Sequence, residues 1–131
     1  VSYEVWVQRF DRGQPVGLSA AVFTEVFGPY VTGSQPQFHF HQVVAADGGE
    51  ADIYANLSPP FDSLTAARLS PGDVCELLVR FAYRCDAVIL LPGGVAVLTN
   101  PAQLEHLPVE IRDGVRLATG GVDLQTAIGE A

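Results

Sequence analysis

Gln37–Leu57 reads QFHFHQVVAADGGEADIYANL, two alternating runs of apolar and polar residues with a glycine pair between them. Alternation at period two marks strands, and Asp47-Gly48-Gly49 marks the turn of a hairpin. A two-residue turn at Asp47-Gly48 sets Val43 opposite Asp52, His41 opposite Tyr54 and His39 opposite Asn56. Moving the turn to Gly48-Gly49, or widening it to run from Asp47 to Glu50, slides the pairing and keeps its parity. One face then carries His39, His41, Val43, Asp52, Tyr54 and Asn56. The other carries Phe38, Phe40, Gln42, Ile53, Ala55 and Leu57. Only an odd-length loop with a bulge breaks this pattern.

Outward from the hairpin, the elements alternate in type. Ser2–Phe10 (SYEVWVQRF) is a strand with bulky apolar groups on both faces, which suits the sheet interior. Asp11–Pro15 turns, and Leu18–Phe27 has helical spacing, with Ser19 as N-cap and Gly28-Pro29 as stop. Tyr30–Pro36 has no element signal and reads as a loop. After the stiff Pro59-Pro60 connector, Ser63–Leu69 is a short strand. Ser70-Pro71-Gly72-Asp73 opens the main helix: Ser70 caps it, Pro71 fits the first turn, and Asp73 suits the positive end of the dipole. The helix runs to about Arg84. Val74, Leu77, Leu78, Phe81 and Cys85 form its apolar stripe, and Glu76 and Arg80 pair on its outer side. Asp86–Leu91 and Val95–Thr99 make a second hairpin around Pro92-Gly93-Gly94. Asn100 caps a short helix over Pro101–His106, and Val109–Asp113 adds another turn. Val115–Ala118 is a last strand, and Val122–Ile128 a terminal helix.

Hairpins dominate and no series of βαβ crossovers is present. The expectation is one α+β domain over residues 1–131. It has a mostly antiparallel sheet of about five to six strands, with two to three helices packed on one face. The stripe of the main helix is the natural cover for the apolar face of the Gln37–Leu57 hairpin.

Composition narrows function by exclusion. The formal net charge is −8, opposite to a nucleic-acid footprint, and it would steer a basic partner inward. All basic residues are Arg. Without Lys there is no Schiff base and no P-loop cradle. The glycine turns are not followed by a phosphate-binding helix, and no serine sits in a nucleophile elbow. The acidic residues are dispersed and form no calcium-binding loop. Cys75 and Cys85 lie on or just after one helix. Ten helical residues span roughly 15 Å, too far for a disulfide, so both read as structural thiols of a reducing compartment. No leader begins the sequence and no apolar run reaches membrane-span length, so a cytoplasmic protein is expected, with no membrane partner.

The hairpin face holds the candidate site: His39, His41, Asp52, Tyr54 and Asn56. His, Tyr and Asn on a sheet face are good recognition material, since rigid amphipathic side chains bury area at small entropic cost. Two imidazoles two residues apart, with Asp52 or Tyr54 opposite, also allow a hydrolytic metal centre or a metal-free His41–Asp52 acid–base pair. His-x-His alone is a weak signal, however, and Asp52 stands a full strand step from His41. Neither catalytic residues nor metal ligands are therefore assigned, and no cofactor is expected.

Ser2–Phe10, Asp52-Ile53-Tyr54 after the hairpin, and Leu90–Gly94 (LLPGG) together resemble small, uncharacterised bacterial proteins of immunity or toxin neighbourhoods. The resemblance implies a binding protein and brings no catalytic residues with it. The leading expectation is a non-enzymatic acidic domain that binds a basic protein, with an immunity or inhibitor role as one form. The alternative is a small metal-dependent or His/Asp hydrolase on the His39/His41/Asp52/Tyr54 face. A third option is self-association through that face.

Overall fold

The computed structural model describes residues 3–130. Among them the chain forms a single α+β domain in which a nine-stranded, mostly antiparallel sheet carries three helices packed together on one face. The strands are β1 (Glu4–Asp11), β2 (Gln14–Val16), β3 (Val31–Gln35), β4 (Phe40–Val44), β5 (Glu50–Ala55), β6 (Leu64–Ala67), β7 (Val88–Leu90), β8 (Ala96–Leu98) and β9 (Arg116–Leu117). Their order is β3-β4-β5-β6-β1-β7-β8-β9, with β2 paired to the far end of β1. Among the described strands only β8 and β9 run parallel. The expected fold class stands; the strands without a sequence signal are β2, which begins in the stretch read as the Asp11–Pro15 turn, and β3, in the Tyr30–Pro36 stretch read as a loop. The strand expected from Ser2 is β1, and it is central as its two apolar faces require; Ser2 lies outside the described residues.

The helices are α1 (Ala20–Phe27), α2 (Asp73–Arg84) and α3 (Gly121–Glu130). Ser19 caps α1 as its sequence position demands, accepting a hydrogen bond from the Val22 N–H. The α2 stripe is buried: Val74, Leu77, Leu78 and Phe81 pack on Val5, Val7, Ile53, Ile89 and other inward residues of the sheet. Phe23, Phe27, Phe61 and Phe81 form an aromatic cluster with ring centroids 5.2–6.4 Å apart. Such pairs contribute about 0.5–1.5 kcal/mol each beyond their buried area. A smaller core of Val88, Ala96, Leu98 and Leu107 lies on the other face, beneath the 3-10 helices Pro101–His106 and Val109–Ile111. Asn100 caps the first of these, as expected.

The start of α2 differs from its sequence signature. Ser70 does not cap the helix. Its hydroxyl accepts the Glu50 N–H, and its own N–H donates to the Glu50 carbonyl, so it extends the pairing beside β5. The cap comes from outside. Asp47, in the turn between β4 and β5, accepts the Asp73 N–H on Oδ2 at 2.9 Å and the Gly49 N–H on Oδ1 at 3.0 Å. The Glu76–Arg80 pair does not form either. Glu76 instead accepts the Gly121 N–H at 2.8 Å and fastens the start of α3 to α2.

This fastening predicts opposite outcomes at two glycines of α3. A Cβ on Gly121 would meet the Glu76 backbone nitrogen at 2.6 Å, and backbone cannot yield. Gly121→Ala should therefore cost roughly 1–3 kcal/mol in urea unfolding. Gly129 has open space around it, so Gly129→Ala should gain about 0.5–1 kcal/mol. A neutral Gly121→Ala would sink the α2–α3 contact. The Asp47 cap gives a pH prediction. Two backbone N–H donors hold its carboxyl below the usual 3.8. Its stabilisation is therefore fully present above 3.8 and lost as pH falls through the lowered folded value. Asp47→Asn should be less stable than wild type at neutral pH. The gap should close in acid, and a gap that is constant with pH would refute the cap.

Candidate functional site

The β4–β5 register decides which side chains share a surface. Val44 pairs with Glu50, Val43 with Ala51, Gln42 with Asp52, His41 with Ile53 and Phe40 with Tyr54. The loop Ala45–Gly49 is odd in length. The Ala45 N–H donates to the Gly49 carbonyl and the Gly48 N–H to the Ala45 carbonyl, with Gly48 at φ +88°. This is a three-residue connection closed by a left-handed glycine, one of the common hairpin geometries. The expected parity therefore fails. His41 and Val43 lie on the helix side with Ile53 and Ala55, while Phe40, Gln42, Asp52 and Tyr54 lie on the other.

The five residues read as one site accordingly divide. His41 packs its ring on Phe23, centroids 5.1 Å apart, with Nδ1 3.1 Å from the Ser34 hydroxyl and Nε2 3.3 Å from the Ala55 carbonyl. His39 sits before β4 in the left-handed region, at φ +55°. His39, His41 and Asn56 border a pocket of about 240 Å³ beside Pro36 and Ser58. Asp52 and Tyr54 border a different one of about 340 Å³, with Gln35, Phe38, Phe40 and Arg68. The His39/His41 and Asp52/Tyr54 pairs of the hydrolase alternative thus do not converge. No group of three or more His, Cys, Asp or Glu side chains suited to a metal occurs among the described residues.

What the register does assemble is a band across the open side of the sheet. Gln35, Phe40, Tyr54, Thr65, Trp6 and Leu90 are successive cross-strand partners. Phe40 and Tyr54 meet with ring centroids 5.4 Å apart. Neighbouring strands are about 4.8 Å apart, so Phe40 to Trp6 spans roughly 14 Å. Tyr54 is 42% exposed, and Phe38, at the band's end, is 62% exposed. The 3-10 helices cover only the β7–β8 end of this face.

Acidic groups flank the band. Gln42, Asp52, Ala67 and Glu4 form the adjacent cross-strand row, and Glu50 lies beside Gln42, whose amide it accepts at 3.4 Å. Asp52 is buried and takes two donors from Arg68 on Oδ2, Nε at 2.6 Å and the terminal Nη2. The hydrogen bond and the charge of Asp52 raise the guanidinium pKa above its ordinary value. The guanidinium itself stays largely exposed. One Arg thus offsets one of three carboxylates, leaving Glu4 and Glu50 to set the local sign.

The thiols lie elsewhere and are inert. Both cysteines are free and buried. Burial, with the charge of Asp47 behind it, pushes Cys75 up to about 11, and its thiol donates to the Ser70 carbonyl. Burial also raises Cys85. Neither ionises readily enough to act as a nucleophile.

Sequence reading missed Phe38, Phe40, Trp6 and Arg68 as site residues. Phe38 and Phe40 had been placed on the apolar, helix-covered face. The available signal was Gly48, whose left-handed preference fits a bulged turn as well as a two-residue one. No family model, curated protein or solved structure matches the chain.

Breaking the Asp52–Arg68 pair tests how this face is held. Arg68→Ala should destabilise the fold more than removal of the exposed Glu110 side chain, because a buried carboxylate loses its partner. Adding Asp52→Asn should restore part of the loss. Equal stability of Arg68→Ala and wild type in urea unfolding would show that the pair is incidental.

Proposed function

We propose that this is a non-catalytic, acidic binding domain that docks a cationic protein on the open face of its sheet. One observation carries the reading. Phe38, Phe40, Tyr54 and Trp6 lie in or beside a band flanked by Glu4 and Glu50, with Asp52 held by Arg68, on the part of the sheet face that the helices leave open. Aromatic anchors with two rotatable bonds bury large area at small entropic cost and dominate binding energy at interfaces. The surrounding carboxylates, and the net charge of −8 behind them, favour approach of a basic surface. An immunity or inhibitor protein that covers a basic toxin enzyme is one form of this function. A cytoplasmic setting goes with it: both thiols are free, and no helix among the described residues is long and apolar enough to cross a membrane.

The docking surface proposed is the aromatic band, in place of the His39/His41 surface. A partner captured at low salt should bind Tyr54→Ala at least tenfold more weakly, with the variant's melting temperature unchanged because Tyr54 is half exposed. Raising salt should weaken wild-type binding further. A partner that binds wild type and Tyr54→Ala equally would remove this face from the function. Light scattering separates self-association: a dimer that dissociates on Tyr54→Ala would assign the face to a second copy of the chain.

A further inference from the structure

We infer that the partner engages this face by adding an extended segment as a new strand on β3, and that the segment carries an apolar residue followed two positions later by Lys or Arg. This deepens the binding reading and rests on it. Among the described residues strand β3 pairs only with β4, so its outer edge presents free backbone donors and acceptors. It reads VTGSQ, with no Pro, no Lys and no charge, and Thr32–Gln35 are exposed. Such an edge lacks most of the devices that keep strands from pairing. The bulge between Val31 and Gly33 and the Pro36 that follows confine the usable ladder to Gly33–Gln35. The opposite edge, β9, is only two residues long and carries Arg116, which repels a cation.

The register converts this edge into a sequence preference. Gln35 belongs to the aromatic row and Gly33 to the row of Gln42 and Asp52, both on the open face, while Ser34 turns to the helix side beside His41. A strand added antiparallel, the arrangement of every pair at this end of the sheet, meets Gln35 first and Gly33 two residues later. The residue opposite Gln35 continues the aromatic row, beside Gln35 and at the edge of the pocket that Gln35, Phe38 and Phe40 line. The residue opposite Gly33 finds a gap, since nothing lies within 4 Å of where a Cβ would stand. Across that gap the Thr32 hydroxyl, the Gln42 side chain and the Glu50 carboxylate form a chain of 3.4 Å contacts. A long cationic side chain crossing Gly33 reaches the Thr32 and Gln42 end of this chain; its far end, Glu50, makes no salt bridge among the described residues, and only the Arg68 guanidinium, already held by Asp52, interacts with its charge. The same charge argues against a second copy as occupant, because two chains of −8 repel.

A random peptide library displayed on phage and selected on the immobilised protein tests this, with hydrogen exchange on the selected peptides' complexes. The expected result is enrichment of apolar-x-Lys/Arg, slowed exchange at the amides of β3, and at least tenfold weaker binding to Gly33→Lys. That variant fills the gap with a cation and has space to fold, which an unchanged melting temperature verifies. Peptides that bind and are lost on Tyr54→Ala, yet leave β3 exchange unchanged and tolerate Gly33→Lys, overturn strand addition and spare the binding face. Selected peptides insensitive to both substitutions, or no enrichment at all, overturn both. Dimerisation of the free protein that Gly33→Lys abolishes would overturn the peptide occupant in favour of a second copy.

Discussion

The Asp47 carboxylate joins the two halves of this structure. One oxygen closes the β4–β5 turn on Gly49, and the other caps α2 through Asp73. Gly72 and Gly49 let the backbones come this close: a Cβ at Gly72 would collide with the Asp47 carboxylate, and one at Gly49 would press on the Pro71 carbonyl at 3.1 Å. Gly72 is also left-handed, at φ +100°, a conformation that other residues adopt only under strain. The carboxylate meets the positive end of the helix dipole there, and two orphan donors are satisfied at once. The turn that Asp47 closes is the odd, Gly48-bulged one. The parity of the whole hairpin follows from that.

Parity then distributes chemistry between the faces. The side chains beneath the helices are Val43, Ala51, Ile53 and Ala55, all buried, with His41 at the margin. Those on the open side are Phe40, Gln42, Asp52 and Tyr54. A one-residue shift would bury a carboxylate against α2 and expose Ile53, which no marginally stable domain tolerates. The core of the domain and the composition of the open face are therefore set by the same register. The sheet's two ends also differ. At β7–β8 the open side is closed by Leu107 and the 3-10 helices, whereas from β3 to β1 it is left to the aromatic band.

Much of this was legible in the chain itself. The apolar stripe of α2, the Ser19 and Asn100 caps, the second hairpin and the central position of β1 all follow from local pattern, and all are observed. Periodicity and capping act within a few residues, so one sequence suffices to read them. The failures share a different cause. Ser70 looks like a cap, but its hydroxyl is taken by Glu50; Glu76 looks like the partner of Arg80, but its carboxylate is taken by Gly121. β3 has no strand signal because it is an exposed edge, whose order comes from pairing with β4 and not from its own propensity. In each case a distant group outcompeted a local one. The candidate site inherited the largest of these errors, since it was built on hairpin parity. Tyr54 and Asp52 were rightly placed together, with the wrong neighbours.

The corrected face also explains why Asp52 is worth its burial. An ionised carboxylate in a sheet is costly unless it is paired and hydrogen-bonded. Arg68 supplies both, reaching back from a left-handed residue just beyond β6, at φ +51°. A simple apolar residue at position 52 would have kept the sheet and removed the need for Arg68. It would also have extended the apolar band from Tyr54 into the neighbouring row, making a broad greasy patch of the kind that drives indiscriminate association. The Asp52–Arg68 pair instead bounds the band on that side. It also leaves the guanidinium largely exposed beside Phe38, Phe40 and Tyr54, within reach of the Glu50 charge.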